Sequence, residues 1–148
     1  MKDSKTVIGR RDRIDLPEMD IKGIRAKIDS GAYGCAIHCS DIGIVTAGGK
    51  ERLGFVLLDP EHPQFTGTVH YFEHFRDKKV KNSGGETEHR YSIVTDVVIF
   101  GQKIRTEFSL TDRSRMKYPI LLGRKFLRGR FLVDVSLRDV SHKKKGKK

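Results

Sequence analysis

The stretch IRAKIDSGA, residues 24–32, decides the fold prediction for this chain. Its apolar residues alternate with charged ones until Asp29, and this period of two predicts a half-buried β-strand. Gly31 permits the sharp turn that can place Asp29 on the floor of a cleft, and the Ser30 hydroxyl can brace that loop. The tripeptide alone is more typical of an ordinary Asx-type turn at a strand end, so its meaning depends on the rest of the chain.

The same alternation recurs on both sides of this stretch. Further strands are predicted at residues 36–45, 53–58, 65–75, 91–100, 104–110, 120–122 and 131–133. Gly101-Gln102 is a two-residue hairpin signal, and only residues 124–128 suggest a short helix. Many short strands joined by glycine-rich turns predict an all-β barrel or sandwich with one short helix near the C-terminus.

Composition limits the class of protein. The 148 residues include 30 Lys+Arg and 19 Asp+Glu, a net charge of +11. The sequence predicts one domain over residues 1–141, followed by a flexible Lys-rich tail at 142–148 that contains no acid. No apolar run reaches the ~18 residues of a membrane span, and the first residues lack the apolar segment of a signal peptide. These features predict a cytoplasmic protein that does not contact membranes.

The two cysteines predict neither a disulfide nor a metal site. On a strand, Cys35 and Cys39 would lie about 13 Å apart, too far for a disulfide, so both are expected to be reduced thiols. His38 lies between them, but a structural zinc site needs four ligands from paired motifs, and no second pair follows. A structural role is the expectation for His38.

A second motif changes the meaning of the first. The stretch YPILLGRKFL, residues 118–127, places an apolar strand, Gly123, Arg124 and a short helical turn in order. An Asp-Ser-Gly upstream and an apolar-Gly-Arg segment downstream, in an all-β chain, resemble a retropepsin-type aspartic protease. A glycine-containing hairpin, predicted at residues 80–86, lies in the sequence where a retropepsin has its flap.

The resemblance extends over residues 7 to 138. Blocks occur in one order at 7–11, 16–18, 26–32, 80–85, 88–91, 110–113, 116–127 and 131–134. Together they resemble a bacterial family traditionally labelled ATP-dependent zinc proteases and now viewed as retropepsin-like aspartic proteases. Members usually have Arg and Thr where this chain has Tyr33 and Gly34, a departure in the surroundings of the site.

The resemblance implies a set of roles. It implies a closed retropepsin-like β-barrel and a homodimer in which Asp29 from each copy is catalytic. Loop support is implied for Ser30, Gly31 and Ala32, flap and substrate contacts for Ser83, Gly84 and Gly85, and structural roles near the site for Leu122, Gly123 and Arg124. For Arg124 that role would be an ion pair near the dimer contact. Family members are associated with ATP-grasp ligases that add glutamates to a ribosomal protein, which implies an acidic peptide substrate.

The residues do not support the ATP and zinc of the family label. The stretch GIVTAGGKE, residues 43–51, misses the phosphate-loop register and is better interpreted as a hairpin turn. The stretch HYFEH, residues 70–74, spells the inverted zinc-protease motif, but that chemistry needs a helix and the flanking residues favour a strand. No cofactor and no metal are therefore expected, and an ion-pair partner is the expectation for Asp134.

Two other function classes stay open. The chain could be a non-catalytic binding module on a protease-like barrel that holds RNA or an acidic protein through its basic surface and its tail. A metal-dependent hydrolase at His70, Glu73 and His74 is a weaker alternative. The leading prediction is an aspartic endopeptidase that acts on a peptide or protein substrate.

Overall fold

The computed structural model describes residues 4–81, 83–112 and 117–145. Its strands are β1 Thr6–Ile8, β2 Arg11–Leu16, β3 Ile21–Ile28, β4 Cys35–Ala47, β5 Lys50–Leu57, β6 Val69–Phe72, β7 Arg76–Lys81, β8 Thr87–Ile99, β9 Gln102–Thr111, β10 Ile120–Leu122 and β11 Phe131–Val133. Its helices are a 3-10 turn at Pro17–Met19, α1 Arg124–Leu127 and α2 Val140–Lys145.

Six strands hydrogen-bond in a closed cycle. The order is β10-β3-β2-β8-β9-β4, and β4 also pairs with β10. This cycle confirms the predicted all-β, retropepsin-like barrel. By its contacts the chain divides into two units, a first with residues up to 35, 95–106 and from 117 on, and a second with residues 36–94 and 107–116.

In the first unit, β3 is the central strand. It pairs antiparallel with β2 and parallel with β10, in a register that sets Ile28 beside Leu122. The inward positions of these strands are almost fully buried, while the alternate positions are charged and face solvent. The alternation seen in the sequence is therefore the alternation of the two faces of this sheet.

The first unit also joins the two ends of the described chain. Strands β1 and β11 form a parallel two-stranded sheet, here called the terminal ribbon, with Thr6 opposite Phe131. Helix α2 is fixed to β2 by Asp12, which is 1% exposed and accepts hydrogen bonds from the backbone N–H groups of Ser141 (2.9 Å) and His142 (3.2 Å). A buried carboxylate at the first turn satisfies N–H groups that lack partners within a helix.

The second unit consists mainly of antiparallel hairpins. Strands β4 and β5 meet at a turn of Gly48 and Gly49, both with positive φ, which confirms that residues 43–51 form a hairpin and not a phosphate loop. Strand β6 extends this sheet beside β5, and β7 pairs with the first half of β8. Phe55 and Phe108 are fully buried in this unit.

The structure adds strands β1 and β2, which the sequence patterns did not predict, and it differs from the predictions in two further places. The single strand predicted at 65–75 is shorter, because β6 spans Val69–Phe72 and a new strand, β7, begins at Arg76. A second helix, α2, covers residues 142–145, which were expected to be a flexible tail. The cap from Asp12 gives the physical reason, since it lies far away in the sequence and supplies the contact that a Lys-rich stretch lacks.

Both cysteines are free, as predicted, and both are buried. Among the described helices, none has the length and apolar character required to cross a membrane.

Candidate active site

The Asp29 loop begins where β3 ends, beside β10. The backbone N–H of Asp29 donates to the carbonyl of Leu122 at 2.9 Å, which continues the parallel β3–β10 pairing by one more hydrogen bond. On the other side, the N–H of Ile28 donates to the carbonyl of Arg10 at 3.0 Å. Because Ile28 and Leu122 are both buried, the residue before Asp29 is fixed by the core of the first unit.

The loop itself is a tight turn closed by the aspartate. Oδ1 of Asp29 accepts a hydrogen bond from the N–H of Gly31 at 3.1 Å, and the carbonyl of Asp29 accepts one from the N–H of Ala32 at 3.2 Å. This is the Asx-type turn that the tripeptide by itself predicts. The turn fixes one carboxylate oxygen of a half-exposed side chain, and among the described residues no hydrogen bond reaches Oδ2.

Gly123 allows a second backbone segment to lie directly against this loop. A Cβ atom on Gly123 would collide with the carbonyl oxygen of Gly34 and would lie 2.7 Å from that of Tyr33 and 2.8 Å from that of Ala32. No side chain fits at this distance, so the glycine is required by the close approach of two chain segments. The structural role that the resemblance implies for Gly123 therefore has a steric basis.

Helix α1 holds the loop through its first N–H groups. Arg124 donates its backbone N–H to the carbonyl of Ala32 at 2.8 Å, and Lys125 donates to that of Tyr33 at 2.9 Å. These donors have no partner inside the helix, so the loop carbonyls complete the helix start.

The side chain of Arg124 adds a third contact between the same two segments. Nη1 of Arg124 donates to the carbonyl of Ser30 at 2.9 Å, and the guanidinium lies 5.9 Å from the centre of the exposed Tyr33 ring. The resemblance implies an ion pair near the dimer contact for Arg124, and that stays a prediction; within the described residues of one copy its side chain contacts a backbone carbonyl and an aromatic face. Tyr33, noted in the sequence only as a departure, therefore has a positioning contact that sequence reasoning missed.

Cys35 follows the loop at the start of β4, and its buried side chain is not reactive. Burial raises the pKa of its thiol, and the N–H of Gly123 and the charge of Lys125 only partly oppose that effect. A thiol that stays protonated is a poor nucleophile. The thiol of Cys35 is therefore not a candidate nucleophile of this loop.

The predicted flap is a hairpin of the second unit. Strands β7 and β8 pair as far as Lys81 and Thr87, and Ser83, Gly84 and Gly85 lie exposed at the tip, with Gly85 at φ +82°. Asn82 lies outside the described residues. The hairpin prediction is confirmed, whereas its contact with a substrate stays a prediction. Residues 88–91 in the second strand of this hairpin line a cavity of about 400 Å³.

The segment that resembles a zinc motif is not helical: residues 70–72 lie in strand β6, as the flanks predicted, and Glu73 and His74 lie in a bend. His70 lies in β6, and Glu73 forms an ion pair with Arg52 at 3.4 Å. Across the part of the chain that the structure describes, no three His, Cys, Asp or Glu side chains come together as a metal site would need. The chemistry of the helical motif does not fit this segment.

Two other residues considered from the sequence have structural partners. His38 is buried, with Nε2 2.7 Å from Oδ1 of Asp59 and Nδ1 3.2 Å from the carbonyl of Thr111. Oδ1 of Asp134 accepts hydrogen bonds from the hydroxyl (2.6 Å) and N–H (3.0 Å) of Ser136, and these bonds lower the pKa of Asp134. Its contacts resemble a loop brace more than the predicted ion pair.

Comparison with known proteins assigns the family. A family model described as retropepsin-like aspartic endopeptidase RimB matches residues 7–144. The chain belongs to this RimB-like family. The match includes the Asp29 loop, the β7–β8 hairpin and the segment from β10 to α1.

Curated relatives and a solved structure agree on the extent of the match. Proteins named probable alpha-L-glutamate ligase from Shewanella pealeana and Desulfotalea psychrophila are each 30% identical, over 92% and 90% of this chain. The chain spans less than a third of the length of these relatives, 30% and 29%. A Legionella pneumophila protein of unknown function has the same fold, with a TM-score of 0.71 and 23% identity over 93% of this chain and 99% of that one. The names of these relatives do not support the zinc-protease label, whereas the retropepsin-like family is shown.

Proposed function

We propose that the chain is an aspartic endopeptidase that acts as a homodimer. The observation that supports it most is the Asp29 loop, in which one carboxylate oxygen is fixed by Gly31 and the loop is locked against α1. Aspartic proteolysis needs two carboxylates that share one proton. The sequence contains a single Asp-Ser-Gly, so a second copy would supply the other carboxylate across a two-fold axis.

The proposed chemistry uses the two Asp29 side chains in different protonation states. The ionised carboxylate takes a proton from a water molecule, which attacks the carbonyl carbon of the scissile peptide bond. The protonated carboxyl donates to the carbonyl oxygen, and the proton that the other carboxylate took from water is later passed to the leaving nitrogen. The flexible glycines at the tip of the β7–β8 hairpin support a flap role for Ser83, Gly84 and Gly85 over the bound peptide.

The terminal ribbon supplies a surface for the second copy. Exposed apolar residues lie on this ribbon and just after it: Val7, Leu132 and Val133 on the ribbon, and Val135 and Leu137 beyond its end. Leu132 is 57% and Val135 is 73% exposed. Several exposed apolar residues on one ribbon and the segment after it are typical of an interface. The ribbon leads directly into Arg10, whose carbonyl binds the N–H of Ile28 next to Asp29, so a copy docked here would lie near the site.

The substrate proposed is an acidic, glutamate-containing peptide. The relatives that match this chain over part of their length are named for L-glutamate ligation. The net charge of +11 would attract such a peptide at low ionic strength. Equal cleavage rates for glutamate-rich and neutral peptides at low salt would contradict this part of the proposal.

Peptide cleavage by Asp29→Asn and Asp134→Asn variants tests the catalytic part. We expect Asp29→Asn to abolish cleavage while circular dichroism and sedimentation show an unchanged fold and dimer, because the amide cannot accept the proton from water. Asp134→Asn, which removes an aspartate held by Ser136, should keep its activity. Chelators should have no effect. An active Asp29→Asn variant would rule the proposal out, and activity that EDTA removes and zinc restores would favour His70, Glu73 and His74.

A further inference from the structure

On the outer face of the β2–β3 hairpin, basic residues of one strand lie directly opposite basic residues of the other. Antiparallel pairing sets Arg11 opposite Lys27 and Arg13 opposite Arg25, so two pairs of like charges face each other directly. Arg13, Arg25 and Lys27 are exposed. Like charges in directly opposed positions of a sheet are destabilising, so this arrangement weakens the hairpin unless an anion lies across it.

Tyr118 and Lys117 extend this face to the neighbouring strand β10. The Tyr118 hydroxyl accepts a hydrogen bond from Arg11 at 3.5 Å, and the Arg25 guanidinium lies 5.5 Å from the ring centre, with Lys117 at 6.0 Å. The hydrogen bond from Arg11 and the surrounding positive charges lower the pKa of the Tyr118 hydroxyl, against the opposing effect of burial. The lowered pKa reports a strongly positive local potential.

Few carboxylates neutralise this face. Asp139 lies 4.0 Å from Nε of Arg11, and Asp15 is engaged by Lys145 at 3.1 Å and by the N–H of Gly23. In the described part of the chain, Arg13 and Lys27 have no ion-pair partner. The basic face, defined as Arg11, Arg13, Arg25, Lys27 and Lys117, therefore carries an excess of positive charge that Asp139, beside Arg11, offsets only in part.

We propose that this basic face binds the phosphate backbone of a nucleic-acid duplex. Its cations lie on the adjacent strands β2 and β3 and, through Lys117, on the segment that leads into β10, and they repeat about every 7 Å along each strand. This two-dimensional array is wider than the ~5 Å that one extended acidic peptide occupies, and it suits phosphates displayed over a surface. A guanidinium group can donate two parallel hydrogen bonds to a phosphate, and the face contains three arginines that can bind in this way.

Contact with phosphate and not with bases follows from the position of Tyr118. Its ring is already approached by Arg25 and Lys117, so it is not free to stack on a base. Binding should therefore be independent of sequence and strongly dependent on salt. The inference does not rest on the proposed peptidase activity, because none of these five side chains takes part in it.

Fluorescence anisotropy of a labelled 20-base-pair RNA duplex with the full chain tests the proposal. The Arg13→Gln/Arg25→Gln variant loses two phosphate contacts, so its affinity should be about 60-fold lower at 0.1 M salt. The slope of log affinity against log salt concentration should become less steep by about 1.8. The matched control is Lys78→Gln/Arg90→Gln, which removes an exposed like-charge pair from the β7–β8 hairpin and changes net charge equally. It should retain most of the affinity.

Each result bears on the proposal. If both double variants lose RNA affinity equally, the effect depends only on net charge and the proposal is overturned. The proposal is also overturned if a glutamate 20-mer binds and this binding needs Arg13 and Arg25, whereas RNA binding is unchanged by their loss. The ligand would then be an acidic chain. Thermal melting excludes misfolding, because removing a like-charge pair should leave the melting temperature of each variant equal to or above that of the wild type.

Discussion

Replacing Gly123 with alanine should dislodge the Asp29 loop from α1. The new Cβ would lie 2.7 Å from the Tyr33 carbonyl oxygen and closer still to that of Gly34. Comfortable contact needs about 3.5 Å, so the two segments must separate by about 0.8 Å or more. The hydrogen bonds from Arg124 and Lys125 to the loop, at 2.8 and 2.9 Å, would then stretch beyond useful length.

The expected cost follows from those contacts. Two lost backbone hydrogen bonds and the strain of overpacking together predict a loss of roughly 2–4 kcal/mol in the free energy of unfolding. Urea denaturation measures this loss. Peptide cleavage, assayed at a temperature where circular dichroism shows the variant folded, should fall at least tenfold, because a misplacement of about 1 Å can cost two orders of magnitude in rate.

Gly34→Ala is the matched control for this experiment. Gly34 lies in the same loop, but a Cβ there meets nothing within 4 Å and its φ is not in the left-handed region. It should be neutral or stabilise by about 0.4–1 kcal/mol through the unfolded chain. The reasoning is refuted if the free energy of unfolding of Gly123→Ala is within about 0.5 kcal/mol of the wild-type value and the variant keeps its activity. The close approach would then not fix the loop.

Two further predictions concern stability. Asp12→Ala removes the acceptor of three backbone N–H groups, those of Arg13, Ser141 and His142. The free energy of unfolding should fall by about 2–3 kcal/mol. Unchanged amide exchange at residues 141–145 would contradict the anchoring of α2. Burial lowers the pKa of His70, so the unfolded chain binds its proton at a higher pH than the folded chain. Stability should therefore fall as pH drops below about 6.5, and His70→Gln should weaken that dependence in urea titrations at pH 7.5 and 5.5; an equal slope in both proteins would refute it.

The strands with one buried face were predictable from the sequence. Their inward positions are aliphatic and their outward positions are charged, as in β3, so the period of two is visible without tertiary information. Strand β7 was missed because five of its six residues are exposed, which leaves no alternation to detect. Strand β2 was missed because a buried position in it, Asp12, is a carboxylate and not an apolar residue.

The site was predictable in part. Its motifs placed Asp29 in a turn after a strand and Gly123 before a short helix, and both positions are confirmed. The approach of Gly123 to the carbonyls of residues 32–34 joins segments about ninety residues apart, and no local pattern encodes it. The stacking of Arg124 on Tyr33 is equally non-local, so the sequence showed Tyr33 only as a departure from the family pattern.

The long reach of these contacts has a consequence for biosynthesis. The bond from Arg124 to Ser30 spans 94 residues, and that from Arg10 to Val135 spans 125. Contacts of such separation form slowly and only after both segments have left the ribosome. A nascent chain therefore has no assembled Asp29 loop until α1 has been translated. This late assembly would delay the proposed hydrolytic chemistry until α1 has emerged from the ribosome.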